Sequence, residues 1–450
     1  MTSKVSARLK STVAAAAVFA ALAGPAVAFC GFYVAKADSK LFNNSSKVVL
    51  ARDGNTTAIT MASDYEGEPK EFAVVIPVPT FIERKQIGVV EMKTIDHLDA
   101  FTAPRLVEYR DEDPCAPREM VMRRSGGIMP ATAMLSAAPG GRHAGVTVEA
   151  SYDVGEYDVS ILSAQESDGL VNFLNDNGYK IPAGADAVLG SYIKQKMRFF
   201  VAKVNIERMA GMANGYLRPL QVRYETPKFM LPLRLGTVNA NGPQDLIILA
   251  LTRNGRVETT NYRTVKIPSD TNVPLYVKNE FGNFYKAMFD RAVEREDMHA
   301  VFVEYAWDMG WCDPCAADPL TNKELVELGA RWIASDDDKP YRSLQGANAY
   351  VTRLHVRYDA NTFPEDLVLM ETRDRGNFQG RYVLRHPWTG KTACEAGAQY
   401  RASLRVRFEQ EARNLAGLTG WSLSDITARM EREGQSMGTR LRWPQPKAPL

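Results

Sequence analysis

The stretch "VTVEASYDVGEYDVSIL" (Val146–Leu162) alternates apolar and polar residues on both sides of Val154-Gly155-Glu156. A period of two is that of a half-buried strand, and Gly155 supplies the freedom a tight turn needs. The same grammar recurs three times, in "AITMASDYEGEPKEFAVVIPVP", "LQVRYETPKFMLPLRL" and "LHVRYDANTFPEDLVLME". In each, a strand-like run ends in a tyrosine followed by an acid: Tyr65-Glu66, Tyr152-Asp153, Tyr224-Glu225 and Tyr358-Asp359. An aromatic follows within several residues (Phe72, Tyr157, Phe229, Phe363), opening or preceding a second strand-like run. Each unit reads as a hairpin-like pair. The tyrosines are irregularly spaced, which excludes a solenoid of fixed period.

Helical patterns lie between the pairs. "QESDGLVNFLNDNG" has Ser167 as a cap and Gly178 as a stop, and "NEFGNFYKAMFDRAVERE" places Phe281, Phe284, Tyr285, Met288, Phe289 and Ala292 on one stripe. "LTNKELVELG" carries Thr321 and Glu324 at capping-box spacing. Past Cys394 the chain turns amphipathic and charged, as in "AGAQYRASLRVRFEQEARNLAG" and "SLSDITARMEREG". The expected class is α+β: antiparallel, β-rich domains built from hairpin-like pairs, with interspersed helices and a helical C-terminal tail. At about 100–200 residues per domain, the length implies two or three domains. Expected segments are a β-rich domain over 29–145 ending in the small-residue loop Arg124–Gly145, an α+β segment over 146–225, an α+β domain over 226–395, and a helical tail over 396–450.

The N-terminus reads as an export signal over 1–28. Lys4, Arg8 and Lys10 precede the apolar "TVAAAAVFAALAG", and Ala26-Val27-Ala28 is a small-x-small cleavage pattern. The apolar run is shorter than the ~20 residues a membrane-spanning helix needs. No later stretch approaches that length, so the expected product is periplasmic or secreted with no transmembrane segment after cleavage. The whole chain has 55 Lys+Arg against 53 Asp+Glu, and three of those bases lie in the leader. This near-neutral balance points to neither nucleic acid nor an anionic membrane surface as partner.

Export makes disulfides expected. The candidates are Cys30, Cys115, Cys312, Cys315 and Cys394, and an odd number leaves one thiol free or bonded to another molecule. In "VFVEYAWDMGWCDPCAAD", a strand-like run enters Trp311-Cys312-Asp313-Pro314-Cys315, the order used by thioredoxin-like enzymes. Under an oxidoreductase reading Cys312 attacks and Cys315 resolves. Against it, Asp313 puts a negative charge between the thiols, and the Thr321 cap starts the next helix too late for its dipole to reach Cys312. No cis-proline partner loop is recognisable downstream. A structural disulfide, within the motif or from one of its cysteines to Cys394, is the competing reading.

Other motifs carry less. The histidines (His97, His143, His299, His355, His386) are scattered, so no metal and no cofactor are implied. "SDDDKP" lacks the alternating acids of a calcium loop. "SYIK" (Ser191–Lys194) half matches Ser-x-x-Lys enzymes without the companion motifs, and "HPWTGKT" has Arg385 where a phosphate loop begins with glycine. Trp307, Trp311, Trp332, Trp388 and Trp421 suit packing as well as a ligand cleft.

Several long phrases, "CGFYVAKADSKLFNNSSKVVLARDG", "DHLDAFTAPRLVEYRDEDPC", "YKIPAGADAVLGSYIKQKMRFFVAKV", "LPLRLGTVNANGPQDLIILAL" and "EYAWDMGWCDPCAADPL", closely resemble the bacterial domain of unknown function 2330 family, over roughly Cys30 to Cys394. The resemblance implies an exported bacterial protein with a Cys-Asp-Pro-Cys signature, carried here by Cys312, Asp313, Pro314 and Cys315. Trp311 lies outside that signature. The resemblance also implies a pairing of Cys30 with Cys115 and supplies no catalytic residue. The expected function is therefore a disulfide-stabilised, non-enzymatic binding or structural envelope protein whose partner is a protein or envelope component. The alternative is a thiol-disulfide oxidoreductase.

Overall fold

Two β-sheets pack face to face with helices on their outer sides. A computed structural model describes residues 32–36, 42–66, 72–116, 147–164, 167–176, 179–181, 184–205, 207–208, 217–238, 240, 242–311, 313, 318–333 and 348–436. The leader, Cys30, the loop Arg124–Gly145, Cys312, Cys315 and "SDDDKP" lie outside these residues.

The larger sheet runs in the order Arg263–Lys266, Ala300–Asp308, Tyr350–Tyr358, Gln244–Thr252, Phe42–Asp53, Thr56–Glu66, Leu220–Glu225, Ile87–Val89, and Phe378–Gln379 pairs beside strand 300–308. It is antiparallel except where 263–266 joins 300–308 and 244–252 joins 42–53. The smaller sheet runs Thr147–Val154, Tyr157–Ser163, Arg198–Val204, Phe72–Val78, Phe32–Lys36, Tyr179–Lys180, antiparallel throughout. A short parallel sheet joins Thr271–Asn272, Arg381–His386 and Arg105–Arg110. The class is α+β, with mostly antiparallel sheets and a helical C-terminal region of Glu395–Thr419 and Leu423–Arg432.

Strand alternation explains the layers. Val48, Leu50, Ile59 and Met61 of the large sheet meet Val74, Ile76, Val159, Ile161 and Phe200 of the small one in the central core. The opposite faces bury the alternate residues. Val49, Ala51, Leu249 and Val351 lie under the helices Met92–Thr102 and Asn322–Glu327, while Val75, Leu162 and Phe199 lie under Ser167–Asp176 and Ala185–Lys194. A further cluster packs the Phe284, Met288 and Phe289 stripe of helix Phe281–Arg295 against Phe302, Leu404, Phe408, Ile426 and Met430. Burying each such side chain contributes roughly 1.5–3 kcal/mol.

Of the four expected pairs, only strands 147–154 and 157–163 close as a hairpin, around Gly155 at φ +56°. In the other three the second strand leaves for a different sheet. Strand 56–66 pairs with 42–53 and 220–225, while 72–78 pairs with 32–36 and 198–204. Likewise Met230–Leu231 and Leu367–Glu371 pair with each other, not with the strands that precede them. These turns are corners between layers. Tyr224, Phe229, Tyr358 and Phe363 pack in the central core at two of those corners. Strands from both sides of 145 and 226 share sheets, so the segments 29–145, 146–225 and 226–395 interleave.

Candidate functional site

Strand 300–308 is buried from Ala300 to Ala306, yet carries a glutamate in the middle of that run. Against strand 350–358, Val303 lies opposite Leu354 and Tyr305 opposite Arg353, which leaves Glu304 as the extra residue of a β-bulge. Its main-chain oxygen is taken by Gly380 N–H at 2.7 Å. A Cβ on Gly380 would sit 2.9 Å from that oxygen, so glycine is what permits the approach.

The Glu304 side chain is fully buried. One oxygen accepts from His355 Nδ1 at 2.6 Å and from the Tyr285 hydroxyl, and the other accepts from Arg353 Nε at 2.6 Å. Arg353 also donates to Asp99 Oδ1, and Asp99 pairs with Lys47 Nζ at 2.7 Å. The His355 ring stacks on Phe289 with centroids 3.6 Å apart. Two residues on, Arg357 grips both oxygens of Asp245 at 2.7 Å and reaches Asp290 at 2.6 Å. Burial pushes the Glu304 carboxyl up, but the charges of His355 and Arg353 and the bonds from His355 and Tyr285 outweigh it and hold the carboxyl down at about 2. Burial acts upward on the Tyr285 hydroxyl too, and the neighbouring Glu304 charge pushes it further the same way. Glu304 meets three donors with both oxygens. Fully buried and held by three donors, this carboxylate is a hub tying helix 281–295, helix 92–102 and two strands together.

At its far end the strand turns outward. Asp308 accepts from Gly310 N–H at 2.9 Å and from Arg375 Nε at 2.9 Å, and Trp311 projects with 63% of its surface exposed. Asp313, the acid of the Cys-Asp-Pro-Cys motif, accepts from the Tyr305 hydroxyl at 3.0 Å and from Gln379 Nε2 at 2.7 Å. Its charge is thus tied to the sheet. Downstream, His97 bonds Glu324 Oε1 at 2.8 Å through Nδ1 and the Asp318 carbonyl at 2.7 Å through Nε2. Thr321 caps helix 322–327 in a capping box with Glu324, and Glu327 accepts from Thr94 Oγ1 at 3.0 Å and Glu91 N–H at 2.9 Å. Both flanks of the motif are therefore pinned to the body of the protein.

Cys115 is bridged to Cys394, with Cα atoms 5.9 Å apart across a sequence separation of 279. This corrects the Cys30–Cys115 pairing and also removes Cys394 as a partner for Cys312 or Cys315. The parallel pairing of 105–110 with 381–386 brings the two segments together, a juxtaposition that sequence distance conceals. Among the described residues no group of three or more His, Cys, Asp and Glu could hold a metal ion. Ser191 of "SYIK" lies in helix 185–194, its hydroxyl donating to the Val188 carbonyl at 2.6 Å. The tryptophans do not converge. Trp307 Nε1 donates to the Trp311 carbonyl at 3.0 Å, Trp332 Nε1 to that of Asn348 at 2.9 Å, and Trp421 packs among the C-terminal helices. A groove of about 200 Å³ lies elsewhere, between Pro77, Met197, Tyr224, Lys228 and Met230.

Glu304, Arg353 and Asp99 were not anticipated from the sequence. The signal was present: a glutamate inside "VFVEYAW", and basic residues at every second position of "TRLHVRY".

These features define an α+β protein of stacked, mostly antiparallel sheets, with a buried charged hub and an Asp313 carboxylate bonded to the large sheet. The chain belongs to the domain of unknown function 2330 family, described as uncharacterized proteins conserved in bacteria, whose model matches residues 24–370. The match stops short of Cys394, so the C-terminal helices and one end of the disulfide lie beyond it. No match is found among curated proteins or among solved structures. No helix among the described residues is long and apolar enough to cross a membrane.

Proposed function

We propose that this protein is exported, cleaved after Ala28, and acts in the periplasm or outside the cell as a disulfide-stabilised, non-enzymatic protein that binds a protein or envelope component. The observation that carries the reading is the Cys115–Cys394 bridge, of the kind that persists in oxidising compartments. A bridge closing so long a loop typically contributes about 2–4 kcal/mol by restricting the unfolded chain. The fully buried Glu304 hub supports the non-enzymatic part, since its charged groups face one another and not solvent.

The rival, a thiol-disulfide oxidoreductase using Cys312 and Cys315, draws on exposed Trp311 and on the strand 300–308 that precedes the motif in sequence. Against it, the first described helix after the motif begins at Asn322, well past Cys315. Cell fractionation with N-terminal sequencing and differential alkylation tests both. The reading expects a mature chain starting at Phe29, an oxidised Cys115–Cys394 pair, and no disulfide-reductase activity. A cytosolic, reduced protein would sink the export reading. Reductase activity lost in Cys312→Ser would favour the rival.

A further inference from the structure

Cys394 is not an ordinary half of a bridge. It is the N-cap of the 25-residue helix 395–419, and its sulfur accepts the Gly397 N–H at 3.2 Å. The turn is tight: a Cβ on Gly397 would meet Thr392 Cβ and O at 2.7 Å, so loop and first helical turn are packed together around the sulfur. Cys115 has the opposite surroundings. It is exposed, and its own N–H points to the Asp113 carboxylate at 2.8 Å.

Negative charge is favoured at a helix N-terminus and disfavoured beside a carboxylate. The two sulfurs of one bond thus differ in access and in fitness as a leaving group. Glu395 follows Cys394 but is exposed, and solvent weakens its opposing effect. The fold around the bridge does not depend on it alone. Strands 105–110 and 381–386 pair over six residues, Asp111 N–H donates to the His386 carbonyl at 2.9 Å, and Arg407 Nη1 donates to Asp111 Oδ2 at 2.6 Å.

We propose that Cys115–Cys394 is an exchangeable disulfide, which an external dithiol opens by attacking the exposed Cys115 sulfur, with Cys394 departing as a thiolate held by the Gly397 N–H. In the first step the attacking thiolate forms a bond to Cys115 Sγ and the S–S electron pair leaves on Cys394 Sγ. In the second, the other thiol of the reductant loses its proton and attacks the mixed disulfide, releasing the Cys115 thiolate. The dithiol ends oxidised and the protein gains two electrons as two thiols. The proposal rests on the bridge being formed in the exported protein and goes beyond its role as a staple.

The test uses the full mature chain. With limiting glutathione and an acid quench, peptide mass spectrometry locates the mixed disulfide. At least about tenfold more adduct is expected on Cys115 than on Cys394, since attack favours the accessible sulfur and the better leaving group. Alkylation rate against pH is then compared between Cys394 in Cys115→Ser and Cys115 in Cys394→Ser. The Cys394 profile should be half-maximal at least about one pH unit lower. Adduct mainly on Cys394, coincident pH profiles, or a bridge that dithiothreitol opens only after unfolding would each overturn the proposal. A bridge absent from the cellular protein would instead count against export itself.

Discussion

Glu304 and Glu411 are equally withdrawn from water, at 0% and 1% exposed, yet burial leaves them in opposite states. Glu304 is held down at about 2 and Glu411 is pushed up to about 7. Desolvation acts upward on both, so the difference lies in partners. Glu304 has three donors, one on the Arg353 guanidinium and the others on His355 and Tyr285. Glu411 has one, Gln435 Nε2 at 2.8 Å, while Arg407 Nε stays 3.6 Å from an oxygen that has no hydrogen-bond partner. Arg407 is committed to Asp111 instead. Position follows the same division, since Glu304 lies inside the family-matched region and Glu411 beyond residue 370. Burial makes a carboxylate sensitive, and the number of donors decides whether it becomes a fixed strut or a titratable one.

The largest effect should come from breaking the strut. Glu304→Gln removes the charge facing Arg353 and leaves that buried guanidinium under-compensated. A loss of about 3–5 kcal/mol is expected from such a change, read as a lower urea midpoint at pH 7. Because the Glu304 carboxyl is depressed in the fold, its stabilisation is complete above the ordinary value of 4.5 and is lost as pH falls from there toward 2. The substituted protein should therefore lack that part of the acid-induced decline. Unchanged stability at pH 7 would mean that desolvation cancels the whole network.

Glu411 should behave in the opposite sense. Its raised value means the folded state holds a proton that the unfolded chain has already released above about 4.5, so stability falls between there and about 7 and then levels off. A tenfold difference in proton affinity between the folded and unfolded states corresponds to about 1.4 kcal/mol, which bounds the gain from Glu411→Gln at about 3 kcal/mol at pH 8, with little gain at pH 4. The groups facing it are Arg407 and Gln435, with Asp111 and Arg385 at longer range. Gln435 also accepts from Leu275 N–H at 2.8 Å, so fluorescence of Trp421, beside the same helices, should follow the transition. A pH-independent Trp421 signal together with no gain would refute the contrast.

What the sequence made legible follows the range of the interactions involved. The Thr321–Glu324 capping box, the Phe284–Met288 stripe, the Gly155 hairpin and the two C-terminal helices depend on residues within a few positions of each other. The destinations of strands 72–78, 230–231 and 367–371 depend on partners far along the chain, and a run ending in Tyr-Asp or Tyr-Glu looks the same at a hairpin and at a corner. The Cys115–Cys394 bridge was hidden for the same reason, because the parallel pairing that creates it leaves no local mark. Glu304 did leave one. An acid inside an apolar strand is costly unless paired, and the basic residues at 353, 355 and 357 were the available partners.

The Asp313 anchor gives a further case, a half-buried carboxylate that accepts from the Tyr305 hydroxyl and from Gln379 Nε2. Asp313→Ala leaves the buried Tyr305 hydroxyl without this acceptor, at an expected cost of about 1–3 kcal/mol. It should also speed iodoacetamide labelling of Cys312 and Cys315, the neighbours of Asp313 in sequence, in the reduced protein. Unaltered labelling with unaltered stability would show that the anchor holds nothing in place.

The smallest effect belongs to the pair nearest solvent. His97 and Glu324 retain about a quarter of their side-chain exposure, at 27% and 25%, so the bond between them resembles a surface ion pair worth roughly 0.2–1 kcal/mol. Burial alone would lower the His97 value, but the bonds to Glu324 and the Asp318 carbonyl outweigh it and raise the ring above its ordinary 6.5. A raised histidine stabilises fully below 6.5 and loses that contribution as pH climbs through the folded value. His97→Gln should thus cost a few tenths to one kcal/mol at pH 5.5 and almost nothing at pH 9, the mirror image of Glu304, whose contribution is lost toward acid. If the cost at pH 9 equals that at pH 5.5, the ring acts through shape and neutral hydrogen bonding. Charge would then set the strength of the buried hub but not of the His97–Glu324 clamp.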